Sequence, residues 1–256
     1  MGHSSGLPNR YQIKTAMILA AGYGKRMEEL SENIPKPLLP MGELTLIDLM
    51  LLKLRTAGIK RIVINIHFKK EKIRNHFQNY PPSKLKIFFS EEEKLLGTGG
   101  GIAAAEPFFK QETILVANSD ILCDLSLENF FDFHFSSNSI ASMVIKPSKN
   151  VRKYTQVYYN SEKVIIAFAT DKIEPVTGDS GIFTGFQILS PEARSYLKRE
   201  PSSVIQDFYI PAIKNKQKIS AYLHRGSWID LGTKDRYLKF YKKISTSKFK
   251  LEKFFQ

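Results

Sequence analysis

The chain has 256 residues, of which 43% are hydrophobic, enough for one large α/β domain with a substantial core. It has no apolar run of transmembrane length, the polar opening "MGHSSGLPNR" lacks the apolar centre of a signal peptide, and its single cysteine, Cys123, excludes an internal disulfide. The net charge of +13 admits nucleic acid, an anionic surface or an anionic small substrate as partner, and residues 234–256 carry eight Lys/Arg against two acids, leaving a moderately basic body. These features predict a cytoplasmic protein without stable membrane insertion, with residues 1–12 as a disordered leader and Cys123 as core packing.

In chain order, Lys14 to Ala20 reads as a buried strand that breaks into "ILAAGYGKRM". Two closely spaced glycines, Gly22 and Gly24, let a ligand approach the backbone, whose N–H groups in such a turn form an anion-binding concavity. Lys25 and Arg26 follow at once, so a phosphate-bearing guest competes with an ordinary glycine turn as the explanation. The turn lacks the Walker arrangement and the dinucleotide fingerprint. Next comes "IPKPLLP", where Lys36 sits between two prolines in a stiff loop, either as a phosphate ligand or as a solvated cation.

"LTLIDLMLLKLRTAG" has helical periodicity and stops at Gly58, "KRIVINIHF" is β-branched and strand-like, and "KKEKIRNHFQNY" is a basic helix ended by Pro81 and Pro82. "LKIFFS" supplies a further strand, "GTGGGIAAAEPFF" a glycine-led helix, "TILVANSD" another buried strand and "SLENFFDFHFSS" another helix. Alternating strands and helices predict a mostly parallel, Rossmann-like α/β sheet, with ligands beyond the carboxyl ends of its strands. Gly24 and Asp120 both fall just past such ends. The three histidines at 67, 76 and 134 lack metal-ligand spacing and read as surface or packing residues.

After Ser139 the pattern turns β-rich, with "ASMVIKPS", "YTQVYYN" and "KVIIAFATD" as hairpin-like strands and "SGIFTGFQIL" as a longer one. A helix opening at Ser190-Pro191, "SVIQDFYIPAIKN", "KISAYLHR" and a "GSWIDLGT" turn complete the body, read as one mixed α/β domain with a substrate-covering lobe. The basic tail interleaves aromatics with lysines, which fits either packing on the body or contact with a membrane surface or partner.

Two acids lie at strand-to-turn junctions. Asp120 ends "VANSD" and serves there either as a helix cap or as a metal ligand. Together with Asp230 of "GSWIDLGT" it could hold one Mg²⁺, which takes its remaining oxygens from water and phosphate. Three consecutive glycines, Gly99 to Gly101 in "LLGTGGGIAAA", suit either a flexible helix start or the close approach of a nucleobase or ribose.

"AMILAAGYGKRM", "PKPLLP", "LGTGGGI", "NSD", "GIFTGFQILSPE" and "GSWIDLGT" occur in the order found in the sugar-1-phosphate nucleotidylyltransferase family, which the sequence resembles from about Lys14 to Tyr237. It is most similar to the small single-domain N-acetylmuramate-1-phosphate uridylyltransferase and mannose- or heptose-1-phosphate guanylyltransferase group, and no hexapeptide-repeat acyltransferase domain is expected. The resemblance implies one nucleotidyltransferase domain over 13–245, followed by a basic tail at 246–256. It implies catalytic Arg26 and Lys36 on the phosphates and Asp120 and Asp230 on Mg²⁺. It also implies nucleotide contacts from Leu19, Ala20, Ala21, Gly22 and Gly24 and from Gly97, Thr98, Gly99 and Gly100. Thr184 and Gly185 are expected on the sugar side. Many relatives carry a Glu-Lys-Pro segment whose lysine meets the sugar phosphate; here the text is "TDKIEP", and Lys172 is the stand-in.

The implied reaction is attack by a sugar-1-phosphate oxygen on the α-phosphorus of a nucleoside triphosphate, giving a nucleotide-sugar and pyrophosphate. It requires two polyanions held in line, which suits cations and glycines better than a His or Ser nucleophile. Competing readings are a cytidylyltransferase for phosphocholine or another non-sugar phosphate, and a non-catalytic nucleotide-sugar sensor. A nucleic-acid binder would instead place its basic residues on the sheet body.

Overall fold

The computed structural model describes residues 13–148, 154–169, 178–246 and 251–255. Four strands, β1 (Thr15–Leu19), β4 (Arg61–Ile66), β5 (Lys86–Glu91) and β6 (Ile114–Asn118), form its parallel part in the order β5-β4-β1-β6. The sheet continues antiparallel through β11 (Asp179–Leu189) and β8 (Ala141–Pro147), with β12 (Ile219–Leu223) parallel to β8. The long β11 pairs with β6 through its second half and with β9 (Gln156–Tyr159) through its first, and β10 (Ile165–Phe168) completes the hairpin with β9. The β-rich second half therefore extends the same nine-stranded sheet. This is the mixed, mostly parallel α/β architecture expected from the alternation of elements.

Burial on both faces follows from the strand period of two. Ala16 and Ile18 point to one core with Ile62 and Ile64, against α1 (Leu46–Thr56), α2 (Lys70–Asn79) and α4 (Leu127–Ser137). Met17 and Val63 point to the other, against α3 (Gly97–Ala104), a π turn at Ile205–Tyr209 and α6 (Ile210–Lys214). Thr45 and Asp48 form a capping box that starts α1 in register, and Ser190 caps the short α5 (Pro191–Arg194).

The periodicity did not reveal two small ribbons. β2 (Pro40–Met41) pairs with β3 (Leu44–Thr45), and β7 (Ile121–Cys123) pairs antiparallel with β13 (Trp228–Asp230), so three of the eight residues of the "GSWIDLGT" turn form a strand. Two- and three-residue strands are too short to show alternation; only their pairing defines them.

A third core lies behind these ribbons. Met27, Leu39, Leu122 and Leu231 meet Tyr237 and Phe240 of α7 (Lys234–Thr246) and the fully buried Phe254. These aromatics of the basic tail are thus committed to packing on the body. Lys53 of α1 is buried among these layers and donates to the carbonyls of Leu125 at 2.6 Å and Phe254 at 3.0 Å.

Cys123 is buried, and burial pushes its thiol up to about 12. His134 is buried against Ser142, with its pKa held down to about 4, while His76 pairs with Asp48 and His67 with the Glu92 carbonyl. Among the described residues no group of three or more His, Cys, Asp or Glu is placed to hold a metal.

Burial lowers the Lys53 pKa from 10.5 to about 8. Between these values the unfolded chain binds a proton that the folded chain rejects, so this residue makes stability rise with pH across that window. Below it, keeping the ammonium buried costs about 3 kcal/mol. Urea unfolding of Lys53→Met is expected to show a flatter rise from pH 8 to 10.5 than the parent chain; equal slopes would mean that Lys53 does not titrate in the fold.

Candidate active site

The site forms where β1 and β6 end side by side. Beyond Leu19 the chain runs through Ala20, Ala21 and Gly22 into Gly24, which has φ 68° and begins a run of 3-10 turns over Lys25–Ser31. Met27 donates to the Gly24 carbonyl at 2.7 Å and is itself buried in the third core, so the turn carrying Lys25 and Arg26 is anchored from behind. A β-carbon at Gly24 would lie 3.3 Å from the Lys36 Cβ, which brings the two cationic loops into contact.

The start of this turn is tied to its neighbours by one buried polar relay. The Ala20 N–H donates to Asn65 Oδ1 at 2.8 Å, Asn65 Nδ2 donates to Glu92 Oε1 at 2.6 Å, and the Leu96 N–H donates to Glu92 Oε2 at 2.8 Å. Buried polar groups persist when all are satisfied, and this relay joins the ends of β1, β4 and β5 to the start of α3. Gly101 borders it, since a β-carbon there would stand 2.8 Å from both Asn65 Nδ2 and Glu92 Oε1.

The β7–β13 ribbon unites the two acids. It pairs Ile121 with Asp230, and the Leu231 N–H donates to the Asp120 carbonyl at 2.9 Å, so residues 110 positions apart become neighbours. Gly232 shows how close they come: a β-carbon there would lie 2.7 Å from Asp230 Oδ1, 2.9 Å from Asp120 Oδ2 and 3.4 Å from Arg26 Nη2. Each acid also holds a cation. Lys36 Nζ is in direct contact with Asp120 Oδ2, and Arg236 Nη1 lies 3.0 Å from Asp230 Oδ2. The Gly232 N–H donates to Asp230 Oδ1 at 2.6 Å.

These elements enclose a cleft of about 340 Å³. Leu19, Ala20, Ala21, Gly22 and Gly24 line one wall with Arg26 and Lys36, and Gly97 and Thr98 line another. Asn65, Asn118 and Ser119 also reach it, as do Lys25, Pro37, Leu95 and Gly232, and motif reading singled out none of these seven except Lys25. A polar residue inside the otherwise apolar run "IVINI" was the available signal for Asn65.

Gly99 and Gly100 lie in α3 against residues 200–203. Both are buried, and β-carbons there would collide with Ser202 Oγ at 2.7 Å and the Glu200 carbonyl at 2.0 Å. These glycines let α3 approach residues 200–203 closely.

Thr184 and Gly185, expected on the sugar side, sit within the sheet. Thr184 is buried, its hydroxyl donates to the Val144 carbonyl at 3.0 Å, and neither it nor Gly185 lines the cleft. The register between β11 and β8 shifts between Phe183 and Gln187, and Gly185 takes φ 94°, so simple alternation fails at this bulge. The space beside Gly185 is filled by Asn118, whose Nδ2 would lie 2.9 Å from a β-carbon there. Lys172 lies outside the described residues.

The model of the nucleotidyl transferase family matches residues 15–247, which include all of these groups. The chain belongs to that family. Among curated relatives of this nucleotidyl transferase, the mannose-1-phosphate guanyltransferases of Debaryomyces hansenii and Schizosaccharomyces pombe are 30% and 28% identical over 227 and 228 residues. Each alignment covers 87% of the chain, which spans 62% of the length of these relatives. A crystal structure of HddC from Yersinia pseudotuberculosis complexed with GMP-PN superposes with a TM-score of 0.73 at 25% identity, covering 91% of this chain and all of that one. UDP-glucose pyrophosphorylase from Acinetobacter baumanii shares the fold, with a TM-score of 0.77 at 20% identity over 94% and 97% of the two chains.

In this nucleotidyl transferase a side chain at position 185 must displace Asn118 and adopt a backbone conformation that β-branched residues avoid. Gly185→Val is therefore expected to lower the melting temperature and to weaken nucleoside triphosphate binding through the cleft floor. Calorimetric titration that leaves triphosphate affinity at the parent value would separate the bulge from the cleft.

Proposed function

We propose that this nucleotidyl transferase joins a nucleoside triphosphate, GTP in the first place, to mannose 1-phosphate or a related sugar 1-phosphate, releasing pyrophosphate. The observation that carries the reading is the convergence of Arg26, Asp120 and Asp230 on Gly232, with Lys36 on Asp120, in a cleft walled by the glycine turn. Guanine and mannose are supported by the names of the curated relatives and by the GMP-PN complex of HddC.

The cations and backbone N–H groups suit a reaction in which an anionic nucleophile already present on the substrate attacks phosphorus. Among the described residues, the cleft lining contains no histidine or cysteine to serve as a protein nucleophile or its base. Arg26 and Lys36 neutralise charge on the triphosphate and on the departing pyrophosphate, and the Gly22–Gly24 turn lets the phosphates approach main-chain donors.

The hard oxygen donors of Asp120 and Asp230 fit a divalent cation, for which Mg²⁺ is the proposed occupant. When bound it supplies Lewis-acid polarisation of phosphate oxygens. The single cysteine, deeply buried and reduced, agrees with work in the cytoplasm, and the described residues include no helix long and apolar enough to cross a membrane.

Pyrophosphate release measured across four triphosphates, against a panel of sugar 1-phosphates and phosphocholine, is expected to peak with GTP and a hexose or heptose 1-phosphate. Release with CTP and phosphocholine alone would overturn the sugar assignment. Arg26→Ala is expected to lower turnover by roughly 10²- to 10³-fold, as removal of one preorganised charge-stabilising donor does. Asp120→Asn is expected to abolish turnover with an unchanged circular dichroism spectrum. Full activity of Asp120→Asn, or activity indifferent to chelator, would exclude metal binding by Asp120.

A further inference from the structure

Just beyond the cleft, Arg236 in the first turn of α7 has more partners than its ion pair requires. Its Nε donates to Thr233 Oγ1 at 3.0 Å, which sets the guanidinium plane, while Nη1 reaches both Asp230 Oδ2 and the Tyr154 hydroxyl. The guanidinium also stands over the Tyr154 ring, 5.7 Å from its centroid. Tyr154 packs edge-on against Trp228 at 5.3 Å, and Trp228 Nε1 donates to the Thr184 carbonyl at 2.9 Å.

Two features separate this cluster from a simple brace for Asp230. The Gly232 N–H already holds Asp230 Oδ1, and Arg236 is partly exposed, with no bond to Nη2 among the described residues. The Nη2 of a permanently charged guanidinium is thus available to an oxyanion. Its position matters as well. Arg26 approaches Asp230 through Gly232 from the glycine turn, whereas Arg236 approaches it from the side of Tyr154, two residues before β9 and the β-rich half of the sheet. Two guanidiniums therefore flank one carboxylate, an arrangement suited to holding two separate anions close together.

We infer that Arg236 and the Tyr154 hydroxyl form the seat for the phosphate monoester of the second substrate. This rests on the reading of the cleft as a place where two phosphates meet. Arg236 offers its Nη2 donors and permanent charge, which favour a phosphate dianion over a neutral sugar.

Trp228 is the sole tryptophan of the chain, so its fluorescence reports directly on this cluster. Without metal, titration of mannose 1-phosphate or inorganic phosphate is expected to change that fluorescence saturably, and mannose alone is expected to have no effect. Loss of a charged hydrogen-bond donor should weaken mannose 1-phosphate binding by roughly 10- to 100-fold in Arg236→Gln, with a smaller loss in Tyr154→Phe. GTP affinity by calorimetry should stay within about threefold, and KM for the sugar phosphate should rise while KM for GTP holds.

Because the metal-free titration does not depend on Asp230 acting as a ligand, a residue that merely orients Asp230 would leave it unmoved. Arg236→Lys keeps the charge but loses the fork and is expected to fall between parent and Arg236→Gln, which settles the matter if the glutamine variant fails to fold. Absence of any response to either phosphate, unchanged affinity in the variants, or an equal loss of GTP binding would overturn the seat. Pyrophosphate release with unaltered KM values in the variants would overturn the seat and leave the reaction standing. A phosphate response lost in Arg236→Gln, without turnover of any substrate pair, would overturn the reaction and leave the seat standing.

Discussion

Two carboxylates held against one glycine are the constraint on which the rest of the site depends. Two unit charges about 4 Å apart at an effective dielectric near 20 interact by about 4 kcal/mol, so Asp120 and Asp230 cannot share the space around Gly232 without compensation. Lys36 and Arg236 supply it, one cation on each acid. Around Gly232, at the edge of the cleft, there is thus a balanced quartet of charges to which Arg26 adds a surplus positive charge. If the two acids held the proposed Mg²⁺, Lys36 and Arg236 would be freed to pair with phosphate, so that no charge need be buried unpaired.

Holding that quartet needs a stiff frame, and the third core provides it. Met27, Leu39 and Leu231 lie one to three residues from Arg26, Lys36 and Gly232, and they pack together with Tyr237, Phe240 and Phe254. The polar groups of the site are short projections from an apolar cluster whose close packing leaves little room for drift. Most of the outer aromatics of that cluster come from the basic tail, whose positive charge therefore lies on the solvent side of elements that support the cleft. Lys239, Lys242 and Lys243 lie on the exposed face of that helix.

Glycine serves two separate purposes around the cleft. Nothing lies within 4 Å of the point where a Gly22 β-carbon would stand, so that residue leaves room for a ligand to reach the backbone. Gly99, Gly100, Gly101 and Gly232 instead let protein atoms approach one another, and substitution at these four positions would push apart walls that the relay through Asn65 and Glu92 holds together.

Much of this was legible in the residues. The alternation of apolar strands with amphipathic helices reflects burial on both faces of a parallel sheet, and that is a local property of sequence. The glycine turn, Arg26, Lys36, Asp120 and Asp230 were visible because each interrupts an apolar run at its carboxyl end, where open α/β sheets leave their crevice. The tertiary structure decided everything that depends on which distant segments touch. Only the pairing of β7 with β13 brings Asp230 to Asp120, and neither strand is long enough to announce itself. Only the bulge at Gly185 turns Thr184 inward to Val144, and only the backbone of residues 200–203 explains why Gly99 and Gly100 have no side chain. Arg236 and Tyr154 carry no local signal, since their partnership joins a helix start to the approach of a strand 82 residues away. Sequence periodicity reports burial, whereas a site is a set of distances, and distances between remote residues are fixed only when the chain has folded.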